Sequence, residues 1–288
     1  STPKPSSAAS DVYKRQHDNY EKVTLETYPK LIWDGTAWNK LFRLAFLRQY
    51  SLYFPEKVLY EDMGMAIPTY SLAKSIDIFD DVIYLWRQRD SGAPSITQST
   101  GQIKSWIDRI ISFKFVLKSL KTYNASQLVI DEDVKKILNF DLTIPFTYDN
   151  YLTLDNEYKN ALYLESKSFL KMLTPHQLEQ AEFYKRALYQ VWLNQPKEVV
   201  EHAIERFAKK EVHITFDTQT KSLHSTFEDE FNFKLQTFLT DFESRTRLYS
   251  VIRENNQLIL EGHLYHACLD IKTQADFEDA QVEYVNKN

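Results

Sequence analysis

Two adjacent carboxylates, Glu61 and Asp62, open a segment that is predicted to begin as a helix. Backbone N–H groups and the helix dipole favour the ionised form of a carboxylate at a helix N-terminus. An ionised carboxylate held in one place can accept a proton from a hydroxyl group, as a general base does. The same position is typical of a residue that only caps the helix, and this dipeptide alone leaves both interpretations open.

Two arginines, Arg87 and Arg89, follow the apolar run 82–86, which is predicted to be a buried strand. The small residues at positions 91–94 then predict a loop. Arginine side chains at a strand end can neutralise a phosphate or diphosphate group. A solvated strand end explains either arginine equally well.

A literal Asp-x-Asp sequence, Asp131-Glu132-Asp133, has the residue types that hold a divalent metal. It precedes a predicted helix at 134–138, so we expect it to cap that helix. His263 and His266 are three residues apart on a predicted strand and therefore lie on opposite faces. This spacing argues against a zinc site.

The elements that position these residues fall into three zones. Residues 17–100 alternate helix and strand signals, residues 101–210 are mostly helical, and residues 211–288 alternate apolar and polar positions as strands do. We therefore predict an α/β region, then a helical connector, then a small β-rich region. Residues 1–16 stand apart, because SAASDVYKRQ resembles a translated sequencing adaptor, and they are excluded from the fold prediction.

Within the first zone, apolar residues recur at i, i+3, i+4, i+7 and i+8, which predicts an amphipathic helix capped by Thr36. These residues are Trp38, Leu41, Phe42, Ala45 and Phe46. Gly64 and Pro68 are expected to interrupt the helix that starts at Glu61, because a proline ring clashes with the carbonyl four residues earlier.

The second zone carries two apolar stripes at helical spacing, which place Trp106 and Trp192 in a predicted core. The first stripe is Ile103, Trp106, Ile107, Ile110 and Ile111; the second is Ala181, Tyr184, Leu188, Val191 and Trp192, preceded by Thr174-Pro175 as a cap. In the third zone, Asn255-Asn256 lies between two strand-like runs and predicts a hairpin turn.

Composition excludes several classes of function. A formal net charge of -5 provides no basic surface for nucleic acid, and 5 Gly in 288 residues argue against glycine-rich nucleotide loops. The one cysteine, Cys268, cannot form an intramolecular disulfide and is predicted to be a core residue in a reducing compartment. Because no apolar run approaches the roughly 18 residues that cross a bilayer, we expect a cytoplasmic protein; peripheral contact with the inner face of the membrane stays open.

Three ordered motifs resemble the acceptor-side half of the inverting family 2 glycosyltransferases, which have the GT-A fold. The motifs are a Trp-x-Lys-Leu helix, a Glu-Asp pair behind Phe-x-Glu, and a strand that ends in two arginines and two serines. They are Trp38-Asn39-Lys40-Leu41-Phe42-Arg43, then Phe54-Pro55-Glu56 with Tyr60-Glu61-Asp62, then Tyr84-Leu85-Trp86-Arg87-Gln88-Arg89 with Ser91 and Ser95.

This resemblance implies that Asp62 is the base for an acceptor hydroxyl and that Glu61 orients the acceptor or the neighbouring backbone. It implies that Arg87 and Arg89, with Ser91 and Ser95, face the diphosphate of a UDP-sugar donor. Two tryptophans are also expected at the acceptor side: Trp33 in the acceptor groove, and Trp38 as a support together with Lys40.

In that family a donor half precedes these motifs and holds Mn²⁺ or Mg²⁺ through Asp-x-Asp. No such segment precedes Trp33 here, so we expect the chain to lack those metal ligands and to be inactive alone. Residues 247–271 resemble the β-rich region of enzymes that glycosylate teichoic acids, which implies contact with a polymer or with a second copy. A non-catalytic oligomerisation or polymer-binding module is the alternative to an enzyme.

Overall fold

The computed structural model describes residues 19–79, 102–146, 150–209, 211, 214–217, 222–231, 233, 245–254 and 257–265. The chain divides between Lys209 and Lys210 into two compact units, which are described separately. Helices predominate in the described part of the chain, and its strands form two-stranded antiparallel sheets. The predicted strand at 82–86, on which the expectation of an α/β region depends, lies outside the described residues.

The first unit begins with a strand, a 3₁₀ turn, two helices and a second strand. These are β1 (Tyr20–Val23), the turn Pro29–Trp33, α1 (Leu44–Gln49), α2 (Glu61–Leu72) and β2 (Ile76–Ile78). Strand β1 pairs antiparallel with β2, with Tyr20 opposite Ile78 and Val23 opposite Ile76. This pairing brings the segment that follows α2 back beside β1.

Helix α2 continues through Gly64 and Pro68, so the predicted interruption is wrong. All residues from Met63 to Tyr70 are buried, and this burial of apolar surface offsets the roughly 3 kcal/mol that an internal proline costs. Gly64 is needed for close packing, since a Cβ there would lie 2.8 Å from Pro55 Cγ. Tertiary packing therefore overrides the local signal to end the helix.

Helix α1 begins at Leu44, later than the apolar spacing predicts. Leu41 is fully exposed, and Trp38 is 42% exposed, so the predicted stripe does not face a core. The Thr36 hydroxyl does not cap α1; it donates to Asp34 Oδ1 at 2.7 Å and to Asn39 Oδ1 at 2.9 Å, as alternative partners for its one proton. A polar network around Asp34 thus replaces the first turns of the predicted helix.

The rest of the first unit is helical, as predicted for the second zone. It consists of α3 (Ile103–Thr122), α4 (Gln127–Asn139), a 3₁₀ segment (Asp141–Phe146), α5 (Asn150–Thr153), α6 (Asn156–Leu170), α7 (Pro175–Leu178), α8 (Phe183–Asn194) and α9 (Lys197–Ala208). Helix α3 packs against α2, α4 and α6, which makes it the central element of the unit.

Sequence signals explain three of these helix starts and the burial of two tryptophans in the core. Ser126, Asp155 and Thr174 each accept a hydrogen bond from a backbone N–H in the first turn of the helix that follows. Trp106 and Trp192 are buried, as predicted, whereas Ile111 is 45% exposed and lies off the buried face of α3. Thr174-Pro175 caps the short α7, and a separate helix, α8, carries the second apolar stripe.

The second unit contains β3 (Ile214–Asp217), β4 (Ser222–Ser225), α10 (Thr226–Phe231), β5 (Arg245–Glu254) and β6 (Gln257–Tyr265). Strands β5 and β6 pair antiparallel with Glu254 opposite Gln257, which confirms the hairpin predicted around Asn255-Asn256. The pairing shifts register between Leu248 and Ser250, opposite Gly262 and Glu261.

Candidate functional site

The site is built around Asp34, a buried carboxylate at the end of the turn Pro29–Trp33. Its Oδ1 lies 2.8 Å from Lys40 Nζ and accepts from the Thr36 hydroxyl, and its Oδ2 accepts from Asn39 Nδ2 at 2.9 Å. Burial alone raises the pKa of Asp34, but the Lys40 charge and these hydrogen bonds outweigh it and leave the pKa below its ordinary value. The carboxylate is therefore ionised and fixed in place.

Lys40 connects this network to Asp62. Burial lowers the pKa of its ammonium group, and the charges of Asp34 and Asp62 partly offset that effect. The ammonium lies 5.8 Å from the centre of the Tyr70 ring, and the Tyr70 hydroxyl donates to the Asp34 backbone carbonyl at 2.8 Å. Tyr70 is on α2, so these contacts join the loop that carries Lys40 to the helix that starts with Glu61 and Asp62.

Asp62 lies in the first turn of α2, as predicted, and is half-buried. Its Oδ1 accepts from the backbone N–H of Met63 at 2.9 Å. Burial raises the pKa of Asp62; backbone hydrogen bonds and Lys40 lower it, while the neighbouring Glu61 charge raises it, and the net shift is upward. The backbone donors at the helix N-terminus favour the ionised form, as expected, and desolvation outweighs them in the direction of the net pKa shift.

Glu61 is exposed, so it faces solvent beside a half-buried Asp62. The residue before it, Tyr60, has φ 64° and ψ 30°, in the left-handed region that a residue with a side chain rarely adopts. The direction in which the chain enters α2, and with it the position of Asp62, depends on this one backbone conformation.

The remaining predicted residues separate into two groups. The Trp33 indole N–H donates to Glu132 Oε1 at 2.6 Å, which ties the turn Pro29–Trp33 to α4 and leaves the side chain half-buried. Trp38 is 42% exposed in the loop before Lys40. The other group, Arg87, Arg89, Ser91 and Ser95, lies outside the described residues. Substrate contact by any of these six stays a prediction.

A cleft of about 950 Å³ opens beside the Asp34 network, and the sequence did not predict it. Lys40, Asn39, Arg43 and Lys74 supply polar and cationic lining; the aromatic lining is Phe42, Phe46, Tyr50, Tyr70 and Phe79. Asp62 is not among the lining residues, whereas Lys40 is, and the charge of Lys40 lowers the pKa of Asp62. The signal that locates the cleft is the polar run Asp34-Gly35-Thr36 before the Trp-x-Lys-Leu motif.

The Asp-x-Asp sequence lies inside α4, which starts at Gln127, so the prediction that it heads a helix is wrong. Asp131 Oδ2 lies 2.9 Å from His176 Nε2, whereas Asp133 is buried beside Lys136 and Asp141, with its Oδ2 lacking a hydrogen-bond partner. Burial raises the pKa of Asp133 to about 7. The two carboxylates have different surroundings and do not fit a shared divalent metal.

In the described part of the chain, no three His, Cys, Asp or Glu side chains come together in a way that could hold a metal ion. None of the helices in those same residues combines the length and the apolar character that crossing a membrane requires.

No protein-family model and no curated protein matches the sequence. Among solved structures, the chain is similar to the crystal structure of residues 1–349 of TarS from S. aureus, with a TM-score of 0.55 and 15% sequence identity. The similarity covers 74% of this chain and 58% of the TarS chain, so the chain spans less than two thirds of that structure. TarS is a teichoic-acid glycosyltransferase. At 15% identity the similarity shows a shared fold and no more.

Proposed function

We propose that this chain is the acceptor-side region of a glycosyltransferase that moves a sugar from a nucleotide-sugar donor to a hydroxyl of a cell-envelope polymer. The observation that carries the proposal is Asp62: a half-buried carboxylate at the start of α2, with a raised pKa, in a fold similar to that of TarS. A wall polymer such as a teichoic acid is the acceptor class that the similarity favours.

The proposed chemistry is a direct displacement with inversion. Asp62 accepts the proton of an acceptor hydroxyl while that oxygen forms a bond to the anomeric carbon of the donor sugar, and the bond from that carbon to the nucleotide diphosphate breaks. A raised pKa makes Asp62 a stronger base than a solvated aspartate, because its carboxylate is incompletely hydrated. Glu61 reinforces this by placing a second negative charge beside it.

The donor side of the proposal depends on residues beyond the described ranges. Arg87 and Arg89, with Ser91 and Ser95, are proposed to face the leaving diphosphate, where arginine forks neutralise phosphate oxygens. A divalent metal would neutralise the same diphosphate in the complete enzyme. Because Asp131 and Asp133 do not form a metal pair, no step is assigned to a metal held by the described residues.

Acceptor binding gives a test that needs no donor. The chain, with ¹³C-labelled aspartate, is titrated with a teichoic acid from which the sugars have been removed, and the Asp62 carboxyl resonance is followed. We expect this resonance to move and that of Asp155 to stay, because Asp155 is a helix cap whose Oδ1 accepts from the Tyr158 N–H at 2.7 Å. An unmoved Asp62 resonance, or equal movement of both, contradicts a base at this position.

Turnover gives a second test. UDP release is measured with a panel of UDP-sugars, the same acceptor and Mn²⁺, in a glycosyltransferase in which these residues are joined to a donor-binding half, without substitution, with Asp62→Asn and with Glu61→Gln. Loss of the base is expected to lower the rate by about 10²–10⁴-fold, whereas Glu61→Gln keeps a measurable rate. An Asp62→Asn chain that works at the unmodified rate removes Asp62 as the base.

Calorimetric titration of UDP with Mn²⁺ into residues 17–288 tests the donor side separately. We expect no detectable binding, because Asp131 and Asp133, which match Asp-x-Asp, have different surroundings and do not form a metal pair. Micromolar binding would locate a donor site in this chain. If a preparation binds both UDP and the polymer but shows no turnover, that result would instead favour a non-catalytic polymer-binding module.

A further inference from the structure

The segment that leads into Asp62 is held by side chains of helix α3. The backbone N–H of Leu59 donates to Asp108 Oδ2 at 2.9 Å. The Ser112 hydroxyl lies 3.3 Å from the Tyr60 carbonyl oxygen and 3.4 Å from the Leu59 carbonyl oxygen, and donates to one or the other. Two side chains of one helix thus bind the backbone of the two residues before Glu61.

The Tyr60 side chain is held from the same helix. Its hydroxyl lies 2.7 Å from Ser105 Oγ, within hydrogen-bond distance. The Arg109 guanidinium lies 4.1 Å from the centre of the Tyr60 ring, a cation–π contact, and Arg109 Nη1 lies 3.6 Å from Asp141 Oδ1. The hydroxyl and one face of the tyrosine ring are therefore restrained.

These four side chains form one face of α3, because positions 105, 108, 109 and 112 follow the spacing i, i+3, i+4 and i+7. Ser105, Asp108 and Ser112 are buried, and the Arg109 side chain is 11% exposed. Polar groups cost free energy to bury unless each finds a partner, and all four of these side chains contact the backbone or the ring of Leu59 and Tyr60. Asp108 is also paired with the Lys104 ammonium, and Arg109 with Asp141.

That segment contains the left-handed Tyr60, with φ 64°. A residue with a side chain keeps such a conformation only where surrounding contacts impose it. The contacts from α3 are at Tyr60 itself and at its preceding neighbour, so they act on the residue that directs the chain into α2.

We propose that Ser105, Asp108, Arg109 and Ser112 are positioning residues, which hold Tyr60 in its left-handed conformation and thereby set the position of the Asp62 carboxylate. The catalytic role of this positioning rests on the proposed function, in which Asp62 is the base. The positioning itself concerns only the geometry of α3 and the segment before α2, and it is measured without substrate.

The pKa of Asp62 reports its position, because burial is the main cause of its upward shift. The charges that act on it are those of Glu61 and Lys40, so a change at Asp108 or Arg109 reaches Asp62 through the backbone. We expect Asp108→Ala and Arg109→Leu to loosen the segment and hydrate the carboxylate, which lowers the Asp62 pKa toward its ordinary value. Asp108→Asn keeps an acceptor for the Leu59 N–H and is expected to restore the pKa.

The experiment is a pH titration of the ¹³C-labelled Asp62 carboxyl in the full chain and in these three variants. Phe113→Leu is the matched control: Phe113 is buried on α3, and its ring contacts Phe169 at 5.6 Å, away from Tyr60. Thermal unfolding of each variant shows that the chain is folded. If Arg109→Leu does not fold, the pair Asp108→Ala and Asp108→Asn provides the comparison.

A lowered Asp62 pKa in Asp108→Ala, restored in Asp108→Asn and unchanged in Phe113→Leu, supports positioning. An unchanged pKa in Asp108→Ala, or an equal shift in Phe113→Leu, overturns it. Failure of the proposed function has a different signature: the teichoic acid would leave the Asp62 resonance unmoved even in the unmodified chain, whatever the variants do to its pKa.

Discussion

Lys40 Nζ lies 2.8 Å from Asp34 Oδ1, and the two side chains are 11% and 8% exposed. Such a pair is stable only because hydrogen bonds satisfy the remaining groups, here from Thr36 and Asn39 to the carboxylate. The Lys40 charge also lowers the pKa of Asp62, so the same ammonium group pairs with Asp34 and stabilises the ionised form of the candidate base. This relationship makes Lys40 the most informative position to change.

Lys40→Met is expected to destabilise the first unit by about 3–5 kcal/mol, because it leaves the buried Asp34 carboxylate without its cation. Chemical denaturation, followed by circular dichroism, measures the loss. Lys74→Met is the control, since Lys74 lines the same cleft but is exposed. Asp34→Asn combined with Lys40→Met should recover part of the stability; a double variant no more stable than Lys40→Met contradicts the assignment of the cost to an unpaired charge.

Charges on either side of Asp62 are expected to move its pKa in opposite directions. Lys40→Gln removes a positive charge that favours the carboxylate, so the Asp62 pKa rises further above its ordinary value. Glu61→Gln removes a negative charge that disfavours the carboxylate, so the pKa falls. Titration of the labelled carboxyl measures both shifts, and shifts of the same sign would show that the electrostatic description is wrong.

Asp133→Asn is expected to stabilise the protein at neutral pH and to have little effect near pH 4. Burial raises the Asp133 pKa to about 7 in the folded chain, far above the ordinary 3.8. Between these pH values the unfolded chain releases a proton that the folded chain retains, so the free energy of unfolding falls as pH rises. The difference between the two pKa values corresponds to about 4 kcal/mol in the free energy of unfolding. This is the upper bound of the stabilisation expected from Asp133→Asn above pH 7.

Unfolding at pH 4.5, 6 and 8 measures this dependence for Asp133→Asn. Asp131→Asn is the control on the same helix: its partner His176 is largely exposed, so its effect is expected to stay within about 1 kcal/mol. A gain for Asp133→Asn that is equal at all three pH values would exclude Asp133 titration as its cause.

Two glycines near Asp62 are expected to differ in their tolerance of a methyl group. A Cβ at Gly64 would meet the Pro55 ring at 2.8 Å, and proline cannot rotate away, so Gly64→Ala should cost about 1–3 kcal/mol. A Cβ at Gly35 would meet Met63 Cγ at 2.9 Å, but methionine has flexible torsions and can repack. Thermal unfolding compares the two variants, and an equal loss of stability at both positions contradicts this ranking.

Local patterns in the sequence are sufficient for several parts of this protein. The helix start at Thr174 follows from a capping side chain, which acts on the next few residues. The hairpin of β5 and β6 follows from a turn dipeptide between strand-like runs. The placement of Asp62 in the first turn of α2 belongs to the same class, because an acidic residue at a helix start is a local preference.

Other features exist only because distant segments meet. Helix α2 continues through Pro68 because its whole length is buried, and Asp62 has a raised pKa because burial outweighs the local helix terminus. The same holds for the contacts of Tyr60, whose partners lie 45 to 52 positions later on α3. The sequence by itself determined which residue types stand at the candidate site; tertiary packing decided their hydration and orientation, since desolvation and shape depend on neighbours far along the chain.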